Sequence, residues 1–469
     1  MSTINWMDEV LKRKEDFIKD LQGLLQIKSV LDEENATEEA PLGKGIKEAL
    51  QYMLDLGEKD GFTSKNVGNL AGHLEMGQGS ELVGVLGHVD VVPEGDGWSV
   101  DPYSGIIKDG KIYARGSSDD KGPTIAAYYA MKIVKELGLP LNKRVRLIIG
   151  TDEESNWRCV DHYFEHEEMP TTGFVPDADF PIIFAEKGIT DYDVVQPIQT
   201  IDDTASKKLV SFQSGLRYNM VPDFAEAKIN VQHDATDLIQ GYLAYLNEVK
   251  LEGNANVENG VVVLNLVGKS AHGAEPSKGK NAGTYLAHYL QQLELDNAGK
   301  QYVTTVAEFH DKSRGEVFGV EYEDEESGHL TINVGVMSYS NESLGRIGIN
   351  MRYPVTFDIE EGKKKIETYL ETKGLQLENF SDGKPTYVKK DDPLIKTLQK
   401  VYEEQTGDEA YLLAIGGGTY SRALDHGVAF GAMFPGREDV MHQKDEYAIV
   451  DDLLKATAIY AQAVYELAK

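Results

Sequence analysis

Residues 82–90 read Leu-Val-Gly-Val-Leu-Gly-His-Val-Asp. The first five are apolar or glycine, which suits a strand buried on both faces, and polar side chains follow directly after them. Similar runs at 145–149 and 428–434 stand next to helical patterns at 124–137 and 452–467. Buried strands that alternate with helices are typical of a largely parallel sheet covered on both sides. The sequence therefore predicts an α/β fold with a helix-covered sheet.

The middle of the chain follows a different pattern. Residues 227–231 and 330–336 alternate apolar and polar side chains, as expected for strands with one solvated face. Helical patterns accompany them near 237–249, 281–293 and 359–370. Because strands and helices are mixed here, we expect an inserted α+β lid domain over residues 188–383. Residues 1–187 and 384–469 would then form one discontinuous catalytic domain.

Composition excludes several classes of function. The chain of 469 residues carries 78 acidic and 47 basic side chains, for a formal net charge of −31. Such an excess of acid repels nucleic-acid phosphates, so we expect no nucleic-acid partner. We expect no membrane partner either, because no run reaches the roughly 18 apolar residues of a membrane span and no signal peptide is recognisable. The single cysteine, Cys159, points to a reducing compartment and a cytoplasmic protein.

Histidine and carboxylate side chains follow several of the predicted strands. In chain order they are His88 and Asp90, the pair Asp119-Asp120, the pair Glu153-Glu154, Asp177 and His442. The carboxyl ends of parallel strands meet at one edge of an open α/β sheet, where ligands bind. A single residue of this kind is uninformative, but the whole set predicts a metal cluster at that edge.

The residue types fit a hydrolase that uses two divalent metals to polarise an amide carbonyl and activate water. Such a pair needs imidazole and carboxylate ligands, one of them bridging, together with a general base that is not a ligand. The neighbours Glu153 and Glu154 can supply the base and a ligand from adjacent positions. Asp90, two residues after His88, suits a partner that orients the imidazole.

Seven motifs with these chemical groups follow one another along the chain. They read Gly-His-Val-Asp-Val-Val-Pro (87–93), Gly-Ser-Ser-Asp-Asp-Lys-Gly-Pro (116–123), Gly-Thr-Asp-Glu-Glu-Ser (150–155), Pro-Asp-Ala (176–178), Arg-Tyr-Asn-Met-Val-Pro-Asp (217–223), Ser-Ala-His-Gly (270–273) and Ile-Gly-Gly-Gly-Thr (415–419). Together they resemble the aminoacylase/carboxypeptidase G/carnosinase metallopeptidase family, and most closely its bacterial PepV-type dipeptidases. The resemblance covers essentially the whole chain.

The resemblance implies a centre with two zinc ions, and the same ligand types would also accept manganese or cobalt. Glu153 would be the general base, and Asp90 the partner of His88. The implied ligands are His88 and Asp177 for one zinc, Glu154 and His442 for the other, and Asp119 as the bridge. Asp120 is the alternative bridge, because the assignment rests on aligning Asp-Lys-Gly. In this family the peptide bond after the bridging aspartate is cis.

The resemblance also assigns substrate-binding residues, most of them in the insertion. His272 and Asn219 would reach the scissile carbonyl. Arg352 would bind the terminal carboxylate of the substrate, although its place in an alternating strand also suits a simple ion pair. A tight turn would present backbone N–H groups to the substrate carboxylate, and its residues are Gly416, Gly417, Gly418 and Thr419. This glycine run lacks the spacing of a dinucleotide-binding fingerprint.

The resulting hypothesis is a zinc-dependent dipeptidase with a broad side-chain range, including β-alanyl dipeptides. The main alternative is an N-acyl-amino-acid deacylase or desuccinylase on the same site. A metal-binding or peptide-binding protein without catalysis is a third alternative, against which the presence of Glu153 argues. The size of the insertion predicts a monomer that supplies His272 to its own closed chamber and accepts only small peptides.

A second cluster, Cys159, His162 and His166, has metal-like spacing. On a helix the three would share a face, but the sequence shows no fourth ligand. We interpret Cys159 as a small buried hydrophobic residue and the two histidines as surface residues.

Overall fold

The computed structural model describes residues 4–197 and 204–469, and the chain forms two compact units. Unit 1 contains residues 1–185, 386–414 and 418–469, whereas unit 2 contains residues 186–385 and 415–417. Among the described residues, no helix combines the length and the apolar character needed to cross a bilayer.

The helices of the described residues lie mainly on the sheets of the two units. In chain order they are α1 (Trp6–Leu11), α2 (Lys14–Leu25), α3 (Lys44–Lys59), α4 (Lys121–Glu136), α5 (Arg158–His166), α6 (Thr236–Val249), α7 (Ala282–Leu290), α8 (Asn297–Ala307), α9 (Ile359–Thr372), α10 (Pro393–Thr406) and α11 (Val450–Ala468). Short 3-10 turns occur at Pro276–Lys278 and Tyr420–Ala423.

The strands vary from two to ten residues in length. They are β1 (Thr63–Val67), β2 (Ala71–Gly77), β3 (Leu82–His88), β4 (Ile106–Lys108), β5 (Lys111–Tyr113), β6 (Arg144–Gly150), β7 (Thr172–Val175), β8 (Ala178–Asp179), β9 (Ile182–Glu186), β10 (Gly188–Gln196), β11 (Lys207–Ser214), β12 (Phe224–Val231), β13 (Glu252–Glu258), β14 (Val261–Val267), β15 (Glu323–Asp324), β16 (Gly328–His329), β17 (Thr331–Ser340), β18 (Gly345–Tyr353), β19 (Gln376–Glu378), β20 (Thr386–Tyr387), β21 (Leu412–Ile415), β22 (Gly427–Ala429), β23 (Ala432–Met433) and β24 (Tyr447–Ile449).

The main sheet of unit 1 has the order β1-β2-β6-β3-β7-β22-β9-β20, with β21 paired to β9. Its centre is parallel: β3 pairs in parallel with β6 and β7, and β7 with β22. Helix α4 connects β3 to β6 and packs against both of them and against α11, while α3 and α5 pack against β2. All seven residues of β3 are buried, which confirms the α/β fold with a largely parallel, helix-covered sheet.

Two segments of unit 1 are each divided into two elements where the sequence suggests one. At residues 8–27 the apolar side chains Leu11, Ile18, Leu21 and Leu25 recur at helical spacing, which predicts one helix. The structure has two helices there, α1 and α2, separated near Arg13. The guanidinium of Arg13 contacts the main-chain oxygen and carboxylate of Glu9 and the carboxylate of Glu136. The apolar run at 428–434 forms the short strands β22 and β23, which pair with different partners. The apolar pattern of the sequence therefore predicts where these elements lie but not where they are interrupted.

Unit 2 is built on one antiparallel sheet with the order β13-β14-β12-β11-β17-β18-β10-β19. Helices α6, α7 and α8 pack against β13, β12 and β11 respectively. In β12 the residues Ala225, Ala227 and Ile229 join the hydrophobic core while their neighbours are exposed or partly buried. This alternation is what a sheet with helices on one face requires.

Candidate metal centre

The parallel strands of unit 1 bring chemically active side chains to one edge of the sheet. His88 is the last residue of β3, Glu153 and Glu154 follow β6, and Asp177 follows β7. Because β6, β3 and β7 are parallel neighbours, their carboxyl ends meet at this edge. Two loop segments add Asp119, just before α4, and His442, between β23 and β24.

Asp119 lies between two imidazoles and offers each of them a different oxygen. Its Oδ1 is 3.2 Å from Nε2 of His88, and its Oδ2 is 2.9 Å from Nε2 of His442. A carboxylate that divides its two oxygens in this way has the geometry of a bridge between two metal ions. Asp119 and His88 are buried, with 8% and 0% of their surfaces exposed, whereas the side chain of His442 is 52% exposed.

The histidines and carboxylates at this edge form two groups, one of which contains Asp119. His88, Asp177 and Glu153 have ligand atoms within 4.8 Å of one another, and so do Asp119, Glu154 and His442. The Asp177 Oδ2 atom is 3.6 Å from His88 Nε2, and the Glu154 Oε1 atom is 3.1 Å from His442 Nε2. Each group therefore offers one imidazole and two carboxylates.

The side chain of Asp120, the neighbour of Asp119, has different partners. Asp120 is fully buried, and its Oδ2 accepts hydrogen bonds from the main-chain N–H of His88 and the hydroxyl of Thr124. The Asp119–Asp120 peptide bond is cis, as the family resemblance implies. Of the two aspartates, Asp119 is thus the one whose side chain faces both histidines.

Asp90 supports His88 mainly through its main chain. The His88 Nδ1 atom hydrogen-bonds to the main-chain oxygen of Asp90 at 3.1 Å, whereas the Asp90 Oδ1 atom is 3.4 Å away. The other carboxylate oxygen of Asp90 accepts the main-chain N–H of Glu154 at 3.0 Å. Because a carbonyl oxygen only accepts, Nδ1 of His88 must carry a proton, so in the neutral ring the lone pair lies on Nε2.

The electrostatics of this edge fit a bound cation. Burial raises the pKa of Glu153 to about 9 and that of Glu154 to about 7, and neighbouring carboxylates add to the rise. Burial opposes protonation of His88, but Asp119, Asp177 and Asp90 outweigh it and raise its pKa well above the usual value. The buried Nε2 of His88 nevertheless has no hydrogen-bond partner among the described residues. Crowded buried carboxylates and an orphaned imidazole nitrogen are the donors that divalent metals require.

One residue that the sequence analysis missed holds the loop that carries Asp119. The fully buried Glu446 accepts the main-chain N–H groups of Ser118 and Asp119 on Oε1, at 2.9 and 3.2 Å. Its Oε2 accepts the main-chain N–H of Gly116 and the guanidinium of Arg115 at 2.6 Å. Glu446 also lies four residues after His442, so it connects two segments that supply ligand atoms.

A second missed residue, Tyr420, covers His88. Its ring stands nearly perpendicular to the imidazole with centroids 5.9 Å apart, and its hydroxyl is 3.1 Å from the sulfur of Cys159. An ideal Cβ at Gly150 would lie 1.9 Å from this hydroxyl, so glycine is needed there. Nothing in the sequence around Tyr420 marks it, because its partners are distant along the chain.

Within unit 2, the structure brings His272 and Asn219 together. They lie on adjacent segments, since Met220 and His272 form a β-bridge and the main-chain N–H of Gly273 donates to the main-chain oxygen of Asn219 at 2.7 Å. The Nδ1 atom of His272 accepts the main-chain N–H of Ala274 at 3.2 Å. Burial, and then the charge of Arg352, lowers the pKa of His272, so its neutral ring carries the proton on Nε2.

Arg352 is buried in the same unit, with 5% of its surface exposed. Its Nε donates to Asn350 Oδ1 at 2.8 Å and its Nη1 to the main-chain oxygen of Gly416 at 3.0 Å. Gly416 and Gly417 belong to unit 2, whereas Gly418 and Thr419 belong to unit 1. Thr419 caps the 3-10 turn that follows it, with its hydroxyl oxygen accepting the main-chain N–H of Ser421.

The carboxyl ends of the strands in this α/β unit thus carry two histidine–carboxylate groups that could each hold a metal ion, as expected for a metal-dependent hydrolase. The family model described as peptidase family M20/M25/M40 matches residues 84–466, and the chain belongs to this family of metallopeptidases. The protein is therefore an enzyme that hydrolyses peptide bonds.

The relatives and solved structures agree with this membership. "Putative dipeptidase YtjP" of Bacillus subtilis (strain 168) is 54% identical over 467 residues, which cover 99% of this chain and 100% of the relative. A "Putative dipeptidase" of Staphylococcus epidermidis is 47% identical over 464 residues, covering 98% of this chain and 99% of the relative.

Two solved structures share the fold at low sequence identity. The aminoacylhistidine dipeptidase of Vibrio alginolyticus has a TM-score of 0.59 at 12% identity and covers 96% of both chains. Human carnosine dipeptidase 1 has a TM-score of 0.54 at 15% identity and covers 98% of both chains. At such identities the likeness concerns the fold alone.

Proposed function

We propose that this enzyme is a di-zinc dipeptidase. The observation that carries the proposal is the position of Asp119, whose two carboxylate oxygens face His88 and His442 at 3.2 and 2.9 Å. Support also comes from relatives of nearly equal length that are named as dipeptidases. We assign one zinc to His88 and Asp177, the other to Glu154 and His442, and the bridging position to Asp119.

Two imidazoles and three carboxylates form a donor set that zinc, manganese and cobalt all accept, and zinc is our choice because it tolerates low coordination numbers. When bound, the pair of ions polarises the peptide carbonyl and makes water more acidic. Bound ions would also favour the ionised forms of Glu153, Glu154 and Asp177, whose pKa is raised first by burial and further by the neighbouring carboxylates.

Glu153 is the general base of the proposed reaction. It is left over once each metal has received its imidazole and carboxylates, and it is grouped with His88 and Asp177. In this role Glu153 accepts a proton from the attacking water and passes it to the leaving amine. Asp90 keeps Nε2 of His88 available as a ligand by holding the proton on Nδ1.

Most of the residues that bind the substrate in this proposal belong to unit 2. His272 donates its Nε2–H to the carbonyl oxygen, where negative charge develops, and Asn219 donates from the adjacent segment. Arg352 binds the carboxylate at the end of the peptide, and the turn containing Gly416, Gly417, Gly418 and Thr419 contributes backbone N–H groups. An anchor for the terminal carboxylate limits cleavage to the last peptide bond, and in this proposal the substrates are small peptides, including β-alanyl dipeptides.

We further propose that the enzyme acts as a monomer in the cytoplasm. The only cysteine, Cys159, is buried against Tyr420 and forms no disulfide, which fits a reducing compartment. The substrates are small peptides, and neither nucleic acid nor a membrane takes part.

The decisive experiment compares free dipeptides with N-acetylated and N-succinylated amino acids. The protein is stripped with a chelator and then reloaded with zinc, manganese or cobalt. We expect rapid hydrolysis of dipeptides, slow hydrolysis of tripeptides and almost none of pentapeptides, with activity returning at two metal ions per chain. Preferential hydrolysis of the acylated amino acids would instead identify a deacylase or desuccinylase.

A further inference from the structure

The last turn of α5 carries a second group of metal-binding side chains in unit 1. His162, Glu165 and His166 lie three and four positions apart, which places them on one face of the helix. Their ligand atoms lie within 4.8 Å of one another, and the three side chains are exposed or partly exposed. None of these residues takes part in the proposed dipeptidase centre.

The ring of His166 is already oriented for coordination. Its Nδ1 atom is 2.8 Å from the main-chain oxygen of His162. A carbonyl oxygen can only accept, so Nδ1 carries the proton and the lone pair lies on Nε2. Histidine ligands of metal sites are commonly fixed by such a hydrogen bond, which sets both the tautomer and the ring orientation.

The ring of His162 occupies space that a glycine leaves open. An ideal Cβ at Gly68 would lie 2.5 Å from Nε2 of His162, and Gly68 has a φ of +66°. Any other residue there would meet both the imidazole and an unfavourable backbone conformation. The two histidine rings consequently lie side by side, with centroids 4.3 Å apart and an interplanar angle of 36°.

The structure separates this group from the cysteine that shares its sequence pattern. Cys159 is completely buried, and its sulfur contacts the hydroxyl of Tyr420. Glu165, which the sequence pattern did not include, takes its place beside the histidines. The donor set is therefore two imidazoles and one carboxylate, with room for water because the site faces solvent.

We propose that His162, Glu165 and His166 form a third metal site, independent of the Asp119 centre. Two nitrogen donors and one oxygen donor suit a borderline divalent cation such as Zn²⁺, Ni²⁺ or Cu²⁺. Such an ion links the final turn of α5 through residues i and i+4, and binding to the folded chain stabilises it by mass action.

The experiment uses the full chain, stripped with a chelator and dialysed against Zn²⁺ from about 1 to 100 μM, with bound metal counted by atomic absorption. The His162→Gln/His166→Gln double variant should bind one ion fewer than the wild type. Glu165→Gln should weaken binding of that ion by about 10–100-fold, at least the cost of losing an orienting partner. A matched control is His233→Gln, which alters an exposed histidine of unit 2 and should leave the count unchanged.

A second readout uses Co²⁺, whose visible absorption reports new nitrogen ligands. The wild type should show a component that the double variant lacks, while both retain the same dipeptide turnover. Equal ion counts and equal Co²⁺ spectra in the two proteins would overturn the third site. Failure of the proposed dipeptidase centre would look different, because it would remove turnover from both proteins and leave the difference of one ion intact.

Discussion

Glu446 Oε1 accepts the main-chain N–H of Asp119 at 3.2 Å across 327 positions of sequence. The same carboxylate binds the guanidinium of Arg115 at 2.6 Å, and both side chains are buried. Arg115 and Glu446 thus hold the loop of residues 116–119, which carries the proposed bridging ligand Asp119. The main chain at Asp119 is thus held by Glu446, which is not among the proposed metal ligands.

We expect Glu446→Gln to weaken metal binding by about 10–100-fold, because its amide group places N–H donors against the N–H groups of the Asp119 loop. The variant should also lose about 3 kcal/mol of stability, since Arg115 stays buried without its anionic partner. Metal affinity from competition with a chelator and urea unfolding measure the two effects. Glu438→Gln, an exposed change nearby, should alter neither. An unchanged metal affinity in Glu446→Gln would contradict the supporting role.

Substitution of the adjacent glutamates should separate base from ligand. Glu153→Ala should lose at least about a hundredfold in turnover while it binds as many metal ions per chain as the wild type. Glu154→Ala should instead lose metal, because Glu154 lies 3.1 Å from His442. Atomic absorption and dipeptide assays on the two variants give the answer. Loss of one metal ion per chain in Glu153→Ala would mean that the two roles are exchanged.

Mixing two inactive variants tests whether His272 serves its own chain. His272→Ala should lose about 10²–10³ in kcat, as expected when a donor to the developing oxyanion is removed, with metal content intact. If one chain is the active form, a mixture of His272→Ala and Glu153→Ala remains inactive and light scattering shows a monomer. Recovery of activity on mixing would show that the histidine comes from a partner chain.

His73 should make the stability of unit 1 depend on pH. Burial, reinforced by the charge of Arg146, lowers the pKa of His73 to about 4 from its ordinary value near 6.5. Between these values the unfolded chain binds more protons, so stability falls as the pH drops from about 6.5 to 4, by roughly 1–3 kcal/mol from this residue. Urea unfolding of His73→Gln should show a shallower dependence in this window than the wild type. Identical slopes would show that His73 stays unprotonated in the unfolded chain or is charged in the folded one.

Sequence reasoning succeeded where a local pattern reflects the whole environment of a segment. The apolar run at 82–86 predicts β3 because a strand covered on both faces needs apolar residues at every position. The family motifs likewise contain His88 and Asp119, and the resemblance adds His442; in the structure Asp119 lies 3.2 Å from Nε2 of His88 and 2.9 Å from Nε2 of His442.

The sequence analysis did not identify Glu446 or Tyr420, and the physical reason is the same for both. Each is defined by partners far away in sequence: Arg115 lies 331 positions from Glu446, and Cys159 lies 261 positions from Tyr420. The break between α1 and α2 was also missed, because helical periodicity continues through Arg13 while its contacts with Glu9 and Glu136 depend on tertiary structure. The histidine pair on α5 was visible, but its third donor and the space beside Gly68 required the fold.

The strand order of unit 1 determines when its main sheet can be completed during synthesis of the chain. Strand β22 lies between β7 and β9 in the sheet, yet the ribosome makes it after the whole of residues 186–385. At a synthesis rate of about 5–20 residues per second, the strands that are made first lack their neighbour β22 for tens of seconds. Unit 2, by contrast, is almost continuous in sequence and emerges before that gap is filled. The sheet of unit 1 can therefore be completed only after the whole of unit 2 has been synthesised.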